Sequence, residues 1–132
     1  MESLIKFFEK DRFSKHVGIE LLEAGEGHAK ARLQIKDQHV NSVGLVHGAV
    51  IFALADLVFA VAGNSHGTVA VAINVSISFL KAARSGILYA EGEEVSRNPK
   101  LGSYTINVTD DGGDLVAVFQ GMVYRKNEPL PQ

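Results

Sequence analysis

The chain has no cysteine in its 132 residues, which excludes a disulfide frame, a thiolate nucleophile and any cysteine-containing zinc site. It also lacks an excess of charge of one sign. Its 13 basic side chains stand against 15 acidic ones, a net charge of −2, so nucleic acid is not an expected partner. No internal repeat, linker or low-complexity segment interrupts it, and the length fits one domain over residues 1–132 with a single core. The first residues do not read as a secretion signal. Glu2, Lys6, Glu9, Lys10 and Asp11 leave no apolar stretch, and a cytoplasmic location is expected. What is present is ordinary in bulk, 46% hydrophobic and 21% charged, which excludes a disordered or collagen-like chain.

The distribution is less ordinary. Apolar residues concentrate in residues 44–63, where Asp56 is the only acid and His47 the only other ionisable side chain. A span of that length would barely cross a hydrocarbon core. An acid near its middle would cost about 2.5–3.5 kcal/mol. Gly44, His47, Gly48 and Gly63 trim the apolar run further, to residues 49–62. The block therefore reads as a buried helix, and no membrane partner is expected.

Periodicity places the remaining elements. Leu4, Ile5 and Phe8 predict a short amphipathic helix over residues 1–16, with Ser3 able to cap it. Residues 19–24 form a short apolar run between Gly18 and Gly25. Residues 28–36 alternate as a half-solvated strand, with Ala29, Ala31, Leu33 and Ile35 on one face. The apolar helix is predicted over residues 47–64, ending before Gly67. Four further strands are predicted at 71–80, 87–95, 103–109 and 115–124, the last two joined by the turn Asp110-Asp111-Gly112-Gly113. In the first of these, Val71, Ile73, Val75, Ile77 and Phe79 share one face. The tail 127–132, with Pro129 and Pro131, is expected to be flexible. A helix that is apolar all round must be enclosed. The expected fold class is therefore α+β, an antiparallel sheet curled around one long helix. These layers are too few to cover both sheet faces, so self-association is expected.

Three positions stand out for chemistry: Asn41, the His47-Gly48 pair at the helix start, and Asp56. A helix start offers unpaired N–H groups and a partial positive charge, suited to a developing oxyanion. Gly48 has no side chain to keep a carbonyl away from them. Asp56 is a carboxylate among apolar residues, where burial raises the pKa and favours work as a base or nucleophile. The interval from Gly48 to Asp56 is about 12 Å along a helix axis. One reacting carbonyl cannot touch both, so a shared site needs two subunits with antiparallel helices around a two-fold axis. Each residue also has a structural reading: Asp56 as an acceptor for backbone or interface donors, His47 as a cap, Gly48 as a packing residue and Asn41 as a turn former.

The stretch HVNSVGLVHGAVIFALADLVFAVAGNSHG resembles the signature of hotdog-fold acyl-CoA thioesterases of the phenylacetic-acid-degradation type. That signature is an Asn, then His-Gly, then an Asp in a Leu-Ala-Asp context, and it falls on Asn41, His47, Gly48 and Asp56 without a gap. VSISFLKAARSG is similar to the family's strand ending Phe-Leu-Arg-Pro-Ala, and GMVYR to its last strand. The resemblance covers residues 19–125. It implies a hotdog fold, at least a homodimer with a homotetramer expected, and hydrolysis of an acyl- or aryl-CoA (phenylacetyl-CoA-like) to the free acid and coenzyme A. No metal and no cofactor beyond the coenzyme A of the substrate are implied. Asp56 of one subunit would act as nucleophile or general base. The Gly48 N–H of the other would polarise the thioester carbonyl, with Asn41 and His47 orienting thioester or water.

Two positions depart from the family pattern: Ala49 stands for a second Gly and Ala82 for the Pro. Where related enzymes carry Ser or Thr after the helix, this chain has Ala72, Ile73 and Asn74, which leaves Asn74 as the polar candidate for substrate binding. Phe52, Phe59 and Phe79 are candidate pocket walls or core. Lys81 and Arg84, with Arg97 and Lys100, are candidate partners for coenzyme A phosphates or ordinary surface cations. The alternative function is a non-catalytic acyl-CoA-binding hotdog protein, which would bind a thioester without turning it over.

Overall fold

Two short helices, α1 (Glu2–Phe8) and α2 (Arg12–Val17), open the computed structural model, which describes residues 2–131. Apolar spacing predicts a single helix here, and Asp11 divides it. Its carboxylate accepts the Ser14 N–H at 3.0 Å and caps α2, and Gly18 at φ 99° closes that helix. Ser3 lies inside α1 instead of at its start, and Met1 lies outside the described residues. Leu4, Ile5 and Phe8 do reach the core, as their spacing requires.

The strands β1 (Ile19–Gly25) and β2 (His28–Gln34) pair antiparallel, and the alternation holds, with Ala29, Ala31 and Leu33 sealed from solvent. A 3-10 turn at Asp37–His39 leads to α3 (Gly48–Gly63). Then follow β3 (Thr68–Phe79), β4 (Ile87–Arg97), β5 (Leu101–Thr109) and β6 (Leu115–Pro129). All pairings are antiparallel, in one sheet ordered β1-β2-β4-β5-β6-β3. Helix α3 touches all six strands, which a straight rod can do only if the sheet curls around it. This is the expected α+β hotdog architecture. Two glycines let the sheet close on the helix: a Cβ on Gly121 would stand 2.6 Å from the Phe59 ring, and one on Gly92 2.8 Å from Val58.

Three further expectations change. The last strand reaches into the tail expected to be flexible: β6 runs to Pro129, which pairs with Thr68, and the Leu130 N–H donates to Gly67 at 3.1 Å, while Gln132 lies outside the described residues. A neighbouring strand supplies partners that composition alone does not reveal. In β3 the register with β6 slips between Ala72 and Asn74, a bulge that reverses which side chains face inward. Ala70 packs inward before it and Val75 and Ile77 after it, while Val71, Ile73 and Phe79 are exposed. Finally, α3 is not enclosed on every side. Ala49, Phe52, Ala53, Asp56 and Ala60 form a half-open stripe at helical spacing, while Leu54, Ala55 and Val58 opposite are sealed. No helix among the described residues is long and apolar enough to cross a membrane.

Candidate active site

The segment before α3 is pinned from several sides. Val46 N–H donates to the Ala83 carbonyl and His47 N–H to the His39 carbonyl, both at 2.8 Å. His39 is itself buried, accepting the Lys36 N–H on Nδ1 at 2.9 Å and donating from Nε2 to Val17 at 2.6 Å. These bonds hold the extended backbone of His47, the N-cap, against the start of the helix.

Four N–H groups at a helix start have no partner within the helix's regular bonding pattern. Here three are taken. The His47 imidazole accepts the Ala49 N–H on Nδ1 at 3.0 Å. The His47 N–H goes to His39 as above, and the His47 carbonyl accepts from Val50 at 2.9 Å before it takes the first regular helix bond, from Ile51 at 3.4 Å. The Gly48 N–H alone has no acceptor among the described residues. Because Nδ1 accepts, the neutral ring carries its proton on Nε2 and has that N–H to donate. His47 thus serves as the cap foreseen in its structural reading and still keeps a donor.

Above Gly48 lies Phe79. A Cβ on Gly48 would stand 3.4 Å from the Phe79 Cζ, so the missing side chain leaves a slot between the helix start and an aromatic ring. Asn41 lies in the loop that leads into this slot. Its Oδ1 accepts the Val43 and Leu45 N–H groups at 3.0 and 3.1 Å, and its backbone N–H donates to Leu45 at 2.7 Å. This is a turn role, but it commits only the oxygen. The side-chain NH2 has no partner among the described residues. Asn41, His47, Gly48 and Phe79 therefore gather at one end of α3.

Asp56 is not with them. It lies on the half-open stripe, and its carboxylate accepts no hydrogen bond from any described residue, which removes an intrachain structural role. Burial pushes its pKa above the ordinary carboxylate value, and the nearby charge of Asp11 pushes it further the same way. A carboxylate with no donor and a raised pKa is a competent proton acceptor.

The other candidates divide. Asn74 is exposed at the β3 bulge. Phe52 is half-buried with its ring 5.4 Å from that of Phe119. Phe59, at 1% exposure, packs on Tyr104, Phe119 and Gly121, so its surroundings are those of a core residue and not of a pocket wall. Lys81 is bound to Asp110 at 2.7 Å and Asp114 at 2.6 Å. Those two carboxylates raise its pKa and cancel its field, which makes it a poor phosphate partner. Arg84 is exposed, forms no ion pair among the described residues and follows Ala83, whose carbonyl holds Val46. Sequence reasoning keeps Phe79 only as a general wall or core residue; its placement over Gly48 follows from the end of β3 and has no separate signal.

Comparison with known proteins returns one consistent group. The sequence profile described as the thioesterase superfamily matches residues 43–117. A protein of Archaeoglobus fulgidus named as a candidate esterase is 42% identical, over 94% of this chain and 81% of its own length. The acyl-coenzyme A thioesterase PaaI of Escherichia coli is 33% identical, over 89% of this chain and 85% of its own. The solved structure of E. coli PaaI, from the phenylacetic acid degradation operon, superposes with a TM-score of 0.92 at 30% identity, covering 96% of this chain and 93% of the other.

Proposed function

Because the chain belongs to the thioesterase superfamily, a family of hydrolases, we propose that it cleaves an acyl- or aryl-CoA, of which a phenylacetyl-CoA-like ester is the favoured kind, to the free acid and coenzyme A. The observation that carries this reading is the Gly48 N–H, the one backbone donor at the start of α3 without an acceptor among the described residues, on a residue whose missing side chain leaves space below Phe79. A thioester carbonyl entering that space has its developing negative charge met by a free N–H and by the positive end of the helix dipole.

Asp56 supplies the other half. Either its carboxylate takes a proton from water as the water oxygen bonds to the carbonyl carbon, or it attacks that carbon itself to give an anhydride that water then opens. In both routes the C–S bond breaks and coenzyme A leaves as its thiolate, which takes up the proton given by the water, through Asp56 in the first route and on opening of the anhydride in the second. His47 Nε2–H and the Asn41 NH2 are the free donors that orient ester or water. Since Asp56 lies about 12 Å along α3 from Gly48, the two meet only across subunits. Two features support that pairing: the half-open stripe of small residues around Asp56, and the edge strand β3 with Val71 and Ile73 exposed on it. A homodimer is the minimal assembly of this reading, with a homotetramer built from it.

Asp56→Ala tests it. With secondary structure retained by circular dichroism, hydrolysis of phenylacetyl-, hydroxybenzoyl- and medium-chain acyl-CoA, followed with a thiol reagent, should fall about 10²–10⁴-fold. Undiminished turnover in the folded variant would overturn the mechanism, and binding without turnover by the unaltered protein would leave only a carrier. Single turnover in 18O-water separates the two routes, because only nucleophilic attack leaves label in Asp56.

A further inference from the structure

His39 is a buried polar side chain to which the hydrolysis described above gives no task. At 3% exposure, with both ring nitrogens taken, it has no free atom to offer a substrate. Nδ1 accepts the Lys36 N–H just past the end of β2, and Nε2–H donates to the carbonyl of Val17, the last residue of α2. That carbonyl is one of those a helix end leaves without a partner of its own. One imidazole therefore ties the end of α2 to the end of β2. From this anchor a short ladder leads to the site. The His39 carbonyl accepts the His47 N–H at 2.8 Å, Val40 and Val46 form an antiparallel bridge, and the Asn41 N–H donates to the Leu45 carbonyl at 2.7 Å. One side of the ladder carries Asn41 and the other carries His47. The peptide joining His47 to Gly48 is planar, so the Gly48 N–H keeps its direction only while the His47 end is held.

We propose that His39 is a positioning residue for the hydrolysis: through the ladder, its imidazole holds the Gly48 N–H and the Asn41 side chain where they meet the thioester. The role rests on the thioesterase reading above, because it needs Gly48 as the oxyanion donor. Histidine suits the place, since its neutral ring offers one acceptor and one donor from a rigid frame. Truncation would leave the Lys36 N–H and the Val17 carbonyl without their buried partner, and the ladder without its anchor. A misplacement of about 1 Å caused far from the chemistry can cost about 10²-fold in rate. The Gly48 N–H acts on charge that develops only in the transition state. The loss therefore falls on kcat and spares KM.

Steady-state hydrolysis of phenylacetyl-CoA and the amide spectrum of 15N-glycine-labelled protein test the role together. The Gly48 resonance is the one that Gly48→Ala removes. His39→Ala should lower kcat about 10- to 100-fold, keep KM within about threefold and shift the Gly48 resonance. His39→Gln keeps an N–H for the Val17 carbonyl, and His39→Asn keeps an oxygen for the Lys36 N–H. Each should recover part of the lost kcat, and these two carry the test if the alanine variant does not fold. Asn64→Ala removes a buried polar clamp at the other end of α3 and is the control for stability alone; it should keep both kcat and the Gly48 resonance. Full kcat in folded His39→Ala overturns the role, as does full kcat in both amide variants where the alanine variant is unfolded. An equal loss of kcat in Asn64→Ala overturns it too. If the unaltered protein hydrolyses no thioester but His39→Ala still shifts the Gly48 resonance, the proposed function fails and the hold on Gly48 stands. If the unaltered protein is active and His39→Ala changes neither kcat nor the resonance, the positioning role fails and the proposed function stands.

Discussion

Replacing Gly48 with Ala should separate catalysis from stability, because the two respond with opposite signs. Gly48 has an ordinary helical backbone, not a left-handed one, so alanine meets no strain. The new methyl would stand 3.4 Å from Phe79 Cζ and 3.5 Å from Cε1, an ordinary contact that needs no repacking. Losing the flexibility of glycine in the unfolded chain should then stabilise the fold by about 0.4–1 kcal/mol. The same methyl fills the slot through which a carbonyl reaches the Gly48 N–H. Removal of one oxyanion donor typically costs about 10²–10³ in kcat, or about 2.7–4 kcal/mol. Thermal unfolding and steady-state hydrolysis of one acyl-CoA on the same preparation read both quantities. A second measurement probes the cross-subunit geometry. In a heterodimer of Gly48→Ala and Asp56→Ala chains, one of the two sites combines an unaltered Gly48 with an unaltered Asp56. Co-refolded mixtures should therefore recover activity that neither variant has alone. Full turnover in Gly48→Ala refutes the oxyanion role, and mixed dimers without recovered activity refute the shared site.

Asp56 and Asn64, at different points of α3, carry two further predictions. Asp56 has a folded-state pKa above its ordinary 3.8, from burial first and then from Asp11. The folded protein therefore holds this proton more tightly than the unfolded chain, and stability drops as pH rises from 3.8 through the folded value. Asp56→Asn should melt higher than the unaltered protein at pH 7 and lose that advantage at pH 3; identical melting curves at both pH values contradict the buried carboxylate. Asn64, buried at the C-terminal end of α3, bonds the Ala60 carbonyl at 2.8 Å and the N–H and carbonyl of Ala70 at 2.8 and 3.3 Å. Asn64→Ala should lower stability by about 1–3 kcal/mol in urea unfolding while sparing kcat, and an unchanged midpoint would remove its role as a clamp.

What could be read from the residues alone was what depends on near neighbours. The alternation of β2, the apolar helix and the Asn41, His47-Gly48, Asp56 spacing all lie within short windows, where a period of two or of 3.6 declares itself. What escaped depends on distant partners. The bulge in β3, which turns Val71 and Ile73 outward, is a property of its pairing with β6. The firm end of β6 depends on Thr68 and Gly67, far back along the chain. Lys81 looks like a free cation until Asp110 and Asp114 fold against it. Phe59 looks like a possible pocket wall until Gly121, with no side chain to hold it off, draws it into the core. The division of the first helix is the exception, since Asp11 and Ser14 are a local capping pair that apolar spacing passes over.

The interval between Gly48 and Asp56 is also a ruler. Both groups ride on one rigid helix, so the distance between them is set by residue count and not by any adjustable contact. Adding or removing a single residue there would turn Asp56 by about 100°, from the half-open stripe toward the sheet, in every subunit at once. The turn at residues 110–114 faces no such restriction on catalytic grounds. Over the life of a lineage, this stretch is held to its length even where a side chain on its open stripe can change, and insertions that alter substrate range must collect in the loops around it.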